Sequence, residues 1–165
     1  MCQNLTRLSI ERNNMARVHP WFRLYRRGDD YYFRGWYSST TLRCPCELKL
    51  DIPPYYPHQI PPLYVISPVT LWEFNGPTIN SRGASHAFHT LQNGPNGCIQ
   101  ICHFNSETWD ASKTCLGVTY KAVLWVEAYG VHRATGISIA DILDKWRKRQ
   151  AATSIAHILD GWATR

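Results

Sequence analysis

Long apolar runs are missing from this chain. No window reaches the ~18 consecutive apolar residues of a membrane-spanning helix, and the opening MCQNLTRLSIERNN has no apolar stretch of signal-peptide length. A soluble, cytoplasmic protein with no membrane partner is expected. Acidic residues are also few, 12 against 18 Lys and Arg, for a net charge of +6. The positive charges are spread from Arg7 to Arg34 and again from Lys145 to Arg149, which reads as a solvated basic surface. An acidic protein is the next partner for such a surface; nucleic acid comes last, because no nucleic-acid motif accompanies the charge. The C-x2-C pair of a strong zinc signature is absent, as is the H-x-E of zinc deaminases. Six cysteines in a cytosolic chain then read as free thiols, metal ligands or a nucleophile rather than a disulfide framework. No cofactor and no resident metal are expected.

The 165 residues have room for one domain and a helical appendage, and 44% hydrophobic against 18% charged is the balance of a globular chain. Residues 4–17 read as a helix capped by Asn4 and closed by His19-Pro20, since the residue before a proline avoids the helical region. Three strand-like runs follow, at 21–27, 31–39 and 46–52, the first two joined by a turn at Gly28-Asp29-Asp30. In the third, Leu48, Leu50 and Ile52 alternate with Glu47, Lys49 and Asp51, the period-2 mark of a half-buried strand. The proline-dense segment 52–68 turns into a fourth strand at 63–66. Residues 69–97 read as one long loop, a length that is often functional. Helices are expected at 113–130 and from Ser138, where Asp141 completes a capping pair. The likeness of ISIADILDKW (137–146) to TSIAHILDGW (153–162) suggests two short helices folded back as a hairpin over RKRQAA. The order excludes a parallel βαβ sheet and predicts an α+β fold: N-terminal helix, four-stranded antiparallel meander, active-site loop, C-terminal helices. Residues 1–136 are expected to form the catalytic domain and 137–165 a helical extension.

The segment HAFHTLQNGPNGCIQIC (86–102) holds the densest set of reactive side chains. Cys98 follows a glycine and precedes alternating Ile99 and Ile101, so an exposed thiol over an anchored backbone is expected there, with Gln100 and Cys102 on the same face. Such a thiol has a few per cent thiolate at neutral pH, enough for exchange between thioesters. His89, Asn93 or Asn96 could donate to an oxyanion, and a neutral His89 could instead accept a proton. A zinc site built from His86, His89, Cys98 and Cys102, or from Cys44 and Cys46, is a lesser alternative. Cys2, Cys44, Cys46 and Cys115 read as inert, hydrophobe-like thiols.

Together YYPHQIPPLYV (55–65), His89, GCIQI (97–101), Trp109 and KAVLWVEAYG (121–130) resemble the ubiquitin-conjugating-enzyme family over about residues 4–146. That family has a helix, a β-meander, a YP-x3-PP turn, a His-Pro-Asn element and a nucleophilic cysteine followed by a tryptophan. The text LWVEAYGVHRATG (124–136) is closer to divergent bacterial members, including the stand-alone conjugating enzymes of type II CBASS antiphage operons. The resemblance implies an acyl carrier that holds the C-terminal carboxyl of a protein, such as a cGAS-like nucleotidyltransferase, as a cysteine thioester and passes it to an amine. Here His89-Thr90-Leu91 stands in place of His-Pro-Asn. Cys98 is the expected nucleophile; Cys102 is the alternative, and counting back from Trp109 points to it. The rival function is an inactive conjugating-enzyme-like module that only binds a protein tail.

Overall fold

The computed structural model describes residues 5–163, those from 154 onward by their backbone alone. Cys2 and the capping residue Asn4 lie outside the described residues. The architecture is α+β, three helices with a five-stranded antiparallel sheet. Helix α1 (Leu5–Val18) buries Leu8, Glu11 and Met15, spaced three and four apart along one face. Strands β1 (Arg23–Arg27), β2 (Asp30–Tyr37), β3 (Cys46–Ile52), β4 (Leu63–Ser67) and β5 (Ile99–Gln100) lie side by side in chain order. The β1–β2 hairpin turns through Gly28, whose φ of +61° favours glycine.

The sheet thus has one strand more than expected. Two residues are too few to show alternation, and β5 exists because Val65 pairs with Ile99 and Tyr64 with Gln100. The inner face is apolar, with Phe33, Leu48, Leu50, Leu63, Val65 and Ile99 all fully buried.

Thr114 caps helix α2 (Cys115–Thr135) by accepting from the Gly117 amide, and Gly136 closes it in the left-handed region at φ +78°. Val118, Ala122, Trp125, Val126 and Tyr129 form its buried stripe. Helix α3 runs unbroken over Ile139–Ala163. Its start is the expected pair: the Asp141 amide donates to Ser138 Oγ at 3.1 Å, and that hydroxyl donates to Asp141 Oδ2 at 2.7 Å. The expected hairpin is absent. RKRQAA contains neither Gly nor Pro and is made of helix-favouring residues, so nothing in it stops the helix. Ile139 and Ile142 of α3 enter the same core as α1, α2 and the sheet. Among the described residues no helix is long and apolar enough to cross a membrane.

Two buried or half-buried carboxylates tie distant segments together. Glu11, 1% exposed, accepts from Arg7 Nε at 2.9 Å, from the Tyr56 hydroxyl at 2.5 Å and from the Cys115 amide at 3.1 Å. It therefore joins α1, the proline-dense turn and the start of α2. Glu127 of α2 accepts from the Tyr37 and Ser39 hydroxyls and the Thr40 amide, which fixes the chain leaving β2. Burial alone would raise the Glu127 carboxyl; those hydrogen bonds outweigh it and hold the group below its ordinary value.

Candidate functional site

The loop 69–97 is irregular but tightly held. Asn80 accepts from the Leu71 amide through Oδ1, and its Nδ2 donates to the Val69 and Gly97 carbonyls, both at 2.8 Å. Asn93 donates to the Asn80 carbonyl at 2.8 Å, so its amide helps clamp the loop. Asn96 is exposed at the tip of the 94–98 turn with φ +57°.

That turn also settles the surroundings of Cys98. The Gly94 amide donates to the Cys98 carbonyl at 2.8 Å, folding the turn down onto the strand. A Cβ at Gly94 would lie 2.3 Å from the Tyr64 ring and 3.2 Å from Cys98 Sγ, so thiol, glycine and ring are in close contact. Cys98 is 3% exposed, not the open thiol expected from the sequence. Burial pushes that thiol up from its ordinary value, against the smaller opposing pulls of a backbone hydrogen bond and Lys49. The Ile99 and Ile101 anchors are buried as expected. The cause of the change is strand pairing: β5 lies against β4, and Tyr64 of β4 comes to rest over the thiol.

Cys102 has different neighbours and does not share them with Cys98. It is half-buried and lines a cavity of about 670 Å³, together with His86, His89, Lys121 and, from α3, Leu143 and Trp146. The histidines come from the loop that precedes β5, held there because the Cys102 amide donates to the His89 carbonyl at 2.8 Å. The indole of Trp125 donates to the Phe88 carbonyl, and the Ala140 amide to the Ala87 carbonyl. The two imidazoles are 5.6 Å apart. Burial, and then His86, lower His89 from its ordinary value, against a hydrogen bond with the Cys102 backbone; the ring is thus neutral at pH 7 and able to take a proton.

His103 also borders this cavity, but its ring is buried. Its Nε2 is 3.0 Å from the Pro61 carbonyl and its Nδ1 is buried with no partner among the described residues. A histidine directly after Cys102 therefore does not break the pattern of the site; it is a core residue. Burial pushes His103 down to about 4. Because the folded ring titrates below the unfolded one, stability is complete above pH 6.5 and falls as pH drops toward 4, where the unfolded state holds a proton that the folded state does not. The loss from this group at pH 4 is expected to be about 3 kcal/mol. Urea unfolding of wild type and His103→Gln between pH 7 and 4 checks it, and parallel pH dependences would rule it out.

Lys121 of α2, missed in the sequence, completes the cavity. Its ammonium donates to the His103 carbonyl at 2.8 Å and sits 3.6 Å from the centre of the Phe104 ring. No motif marks it, since what brings it here is the packing of α2 against the chain after β5. Among the described residues no three His, Cys, Asp or Glu side chains are placed to hold a metal ion, so the zinc alternative has no ligand set. The site offers a half-buried thiol, a neutral imidazole and an ammonium in one partly apolar cavity. Compared with family models, curated proteins and solved structures, the chain matches none.

Proposed function

We propose that this chain is an acyl carrier of the ubiquitin-conjugating type, bearing its cargo as a thioester on Cys102. The observation that supports it is the placement of Cys102 beside His89 and Lys121 in a cavity of about 670 Å³, while Cys98 is covered. The arrangement of N-terminal helix, antiparallel meander, proline-rich turn and C-terminal helices is compatible with the conjugating-enzyme fold.

In the reaction the Cys102 sulfur attacks the activated C-terminal carboxyl of a partner protein. A C–S bond forms, the activating group leaves, and the thiol proton passes to His89. An amine then attacks the thioester carbonyl, a C–N bond forms, and the C–S bond breaks to return the thiolate. His89 has by then released the thiol proton to solvent, and the incoming amine loses its proton to the neutral imidazole. Activation of the carboxyl comes from a separate protein. By the same resemblance the cargo is the C-terminus of a cGAS-like nucleotidyltransferase, and the setting is cytoplasmic antiphage defence in bacteria.

Co-expression with such a partner and the protein that activates its carboxyl tests the proposal. Purified without reductant, the chain is expected to carry a covalent adduct that dithiothreitol removes, with the linkage mapped to Cys102 by peptide mass spectrometry. A tight complex with no thiol-sensitive bond, in a protein whose Cys102 still alkylates, would instead establish the tail-binding module.

A further inference from the structure

An acyl-transfer site must meet the negative charge that builds on the carbonyl oxygen as it becomes tetrahedral. The loop amides first expected to do this lie on the segment leading to Cys98, where Asn93 is anchored to the Asn80 carbonyl and Asn96 stands at an exposed turn. The charges around the Cys102 cavity leave one other donor. On α3, Asp141 is held by Ser138, and Asp144 is shared by Arg147 at 2.5 Å and Lys148 at 2.6 Å, so these groups largely neutralise one another. On the loop, His89 is neutral at pH 7.

Lys121 differs. It is an exposed residue, yet partial burial of its ammonium lowers it from its ordinary value, and among the described residues no carboxylate lies within ion-pair distance of it. A partly desolvated cation without a counter-ion is stabilised when an anion forms beside it. Its position is fixed, since one N–H is bonded to the carbonyl of His103, the residue that follows Cys102, and the Phe104 ring lies against it. An ammonium has three N–H donors, so two remain to turn toward the cavity.

We propose that Lys121 stabilises the oxyanion when Cys102 gains or loses its acyl group. The assignment rests on Cys102 being the acyl-bearing thiol. When sulfur or amine nitrogen adds to the carbonyl carbon, the carbonyl π pair moves to oxygen beside the ammonium. It returns as the leaving thiolate departs, and Lys121 itself gains and loses no proton. The role is carried by charge, so arginine should replace lysine in part and methionine should not.

The test uses the full chain and a synthetic Gly-Gly thioester of mercaptoethanesulfonate. Acyl loading onto Cys102 and its discharge to free lysine are followed by intact mass. Lys121→Met is expected to slow both steps by roughly two orders of magnitude, the usual effect of losing one oxyanion donor, and Lys121→Arg to restore most of the rate. Alkylation of Cys102 by iodoacetamide passes through no tetrahedral oxyanion and should stay within about threefold of wild type in both variants. Undiminished acyl transfer in Lys121→Met overturns the assignment. So does an equal slowing of alkylation, which would place Lys121 in holding the thiol or the fold. Wild-type protein that alkylates but takes no acyl group removes the acyl-carrier reading itself, and this assignment with it.

Discussion

Cys102→Ala is expected to abolish every reductant-sensitive adduct, and Cys98→Ala to leave the adduct in place. The two thiols are four residues apart, yet the sheet separates their surroundings. Cys98 is 3% exposed beneath the Gly94 turn and beside Tyr64, and burial raises its thiol, so both access and thiolate supply are against it. Cys102 borders the open cavity with His89 and Lys121. Removing a nucleophile deletes the bond it forms, so the expected effect is complete and not graded. Non-reducing gels and intact mass of the co-expressed complex measure it. An adduct that survives in Cys102→Ala and is lost in Cys98→Ala would return the nucleophile to Cys98 and require the 94–98 turn to lift off it.

The largest expected effect on stability is at Glu11. Its carboxylate is 1% exposed and serves Arg7, the Tyr56 hydroxyl and the Cys115 amide at once. Alanine there would take one acceptor from each of three polar groups, the Arg7 guanidinium keeping its bond to the Lys113 carbonyl. Breaking a buried charged network from one side costs about 3–5 kcal/mol. Glu11→Gln keeps the shape and one acceptor oxygen and should lose about half as much. For a chain of this length the alanine variant should melt on the order of 10 °C lower. Chemical unfolding gives the free energy, and a loss under about 1 kcal/mol would mean that the network contributes little.

Much of the fold was legible where chemistry repeats locally. The alternation in CELKLDI, the glycine turn after β1, and the Ser138–Asp141 pair each carry their own physical signature, and each is found. What was not legible depends on distant partners. Strand β5 is two residues long and exists through Tyr64 and Val65. The burial of Cys98 follows from the same pairing, which no spacing near the cysteine records. Lys121 opens the helical stretch KAVLWVEAYG, where nothing marks it as a site residue, and only tertiary packing brings it to the residue after Cys102. The unbroken α3 misled in another way. The repeated text on either side of RKRQAA suggested two elements, although nothing between them disfavours a helix.

Three consecutive backbone carbonyls, those of Ala87, Phe88 and His89, are each held by a different part of the molecule: the Ala140 amide of α3, the Trp125 indole of α2 and the Cys102 amide. The segment between the two cavity histidines and the thiol is therefore ordered when the protein folds. Its conformational entropy is lost at that stage, roughly 1–2 kcal/mol per residue of backbone, and is not lost again when cargo arrives. A partner tail entering the cavity then has only its own freedom to give up, so weak side-chain contacts along the tail suffice to hold its end beside Cys102.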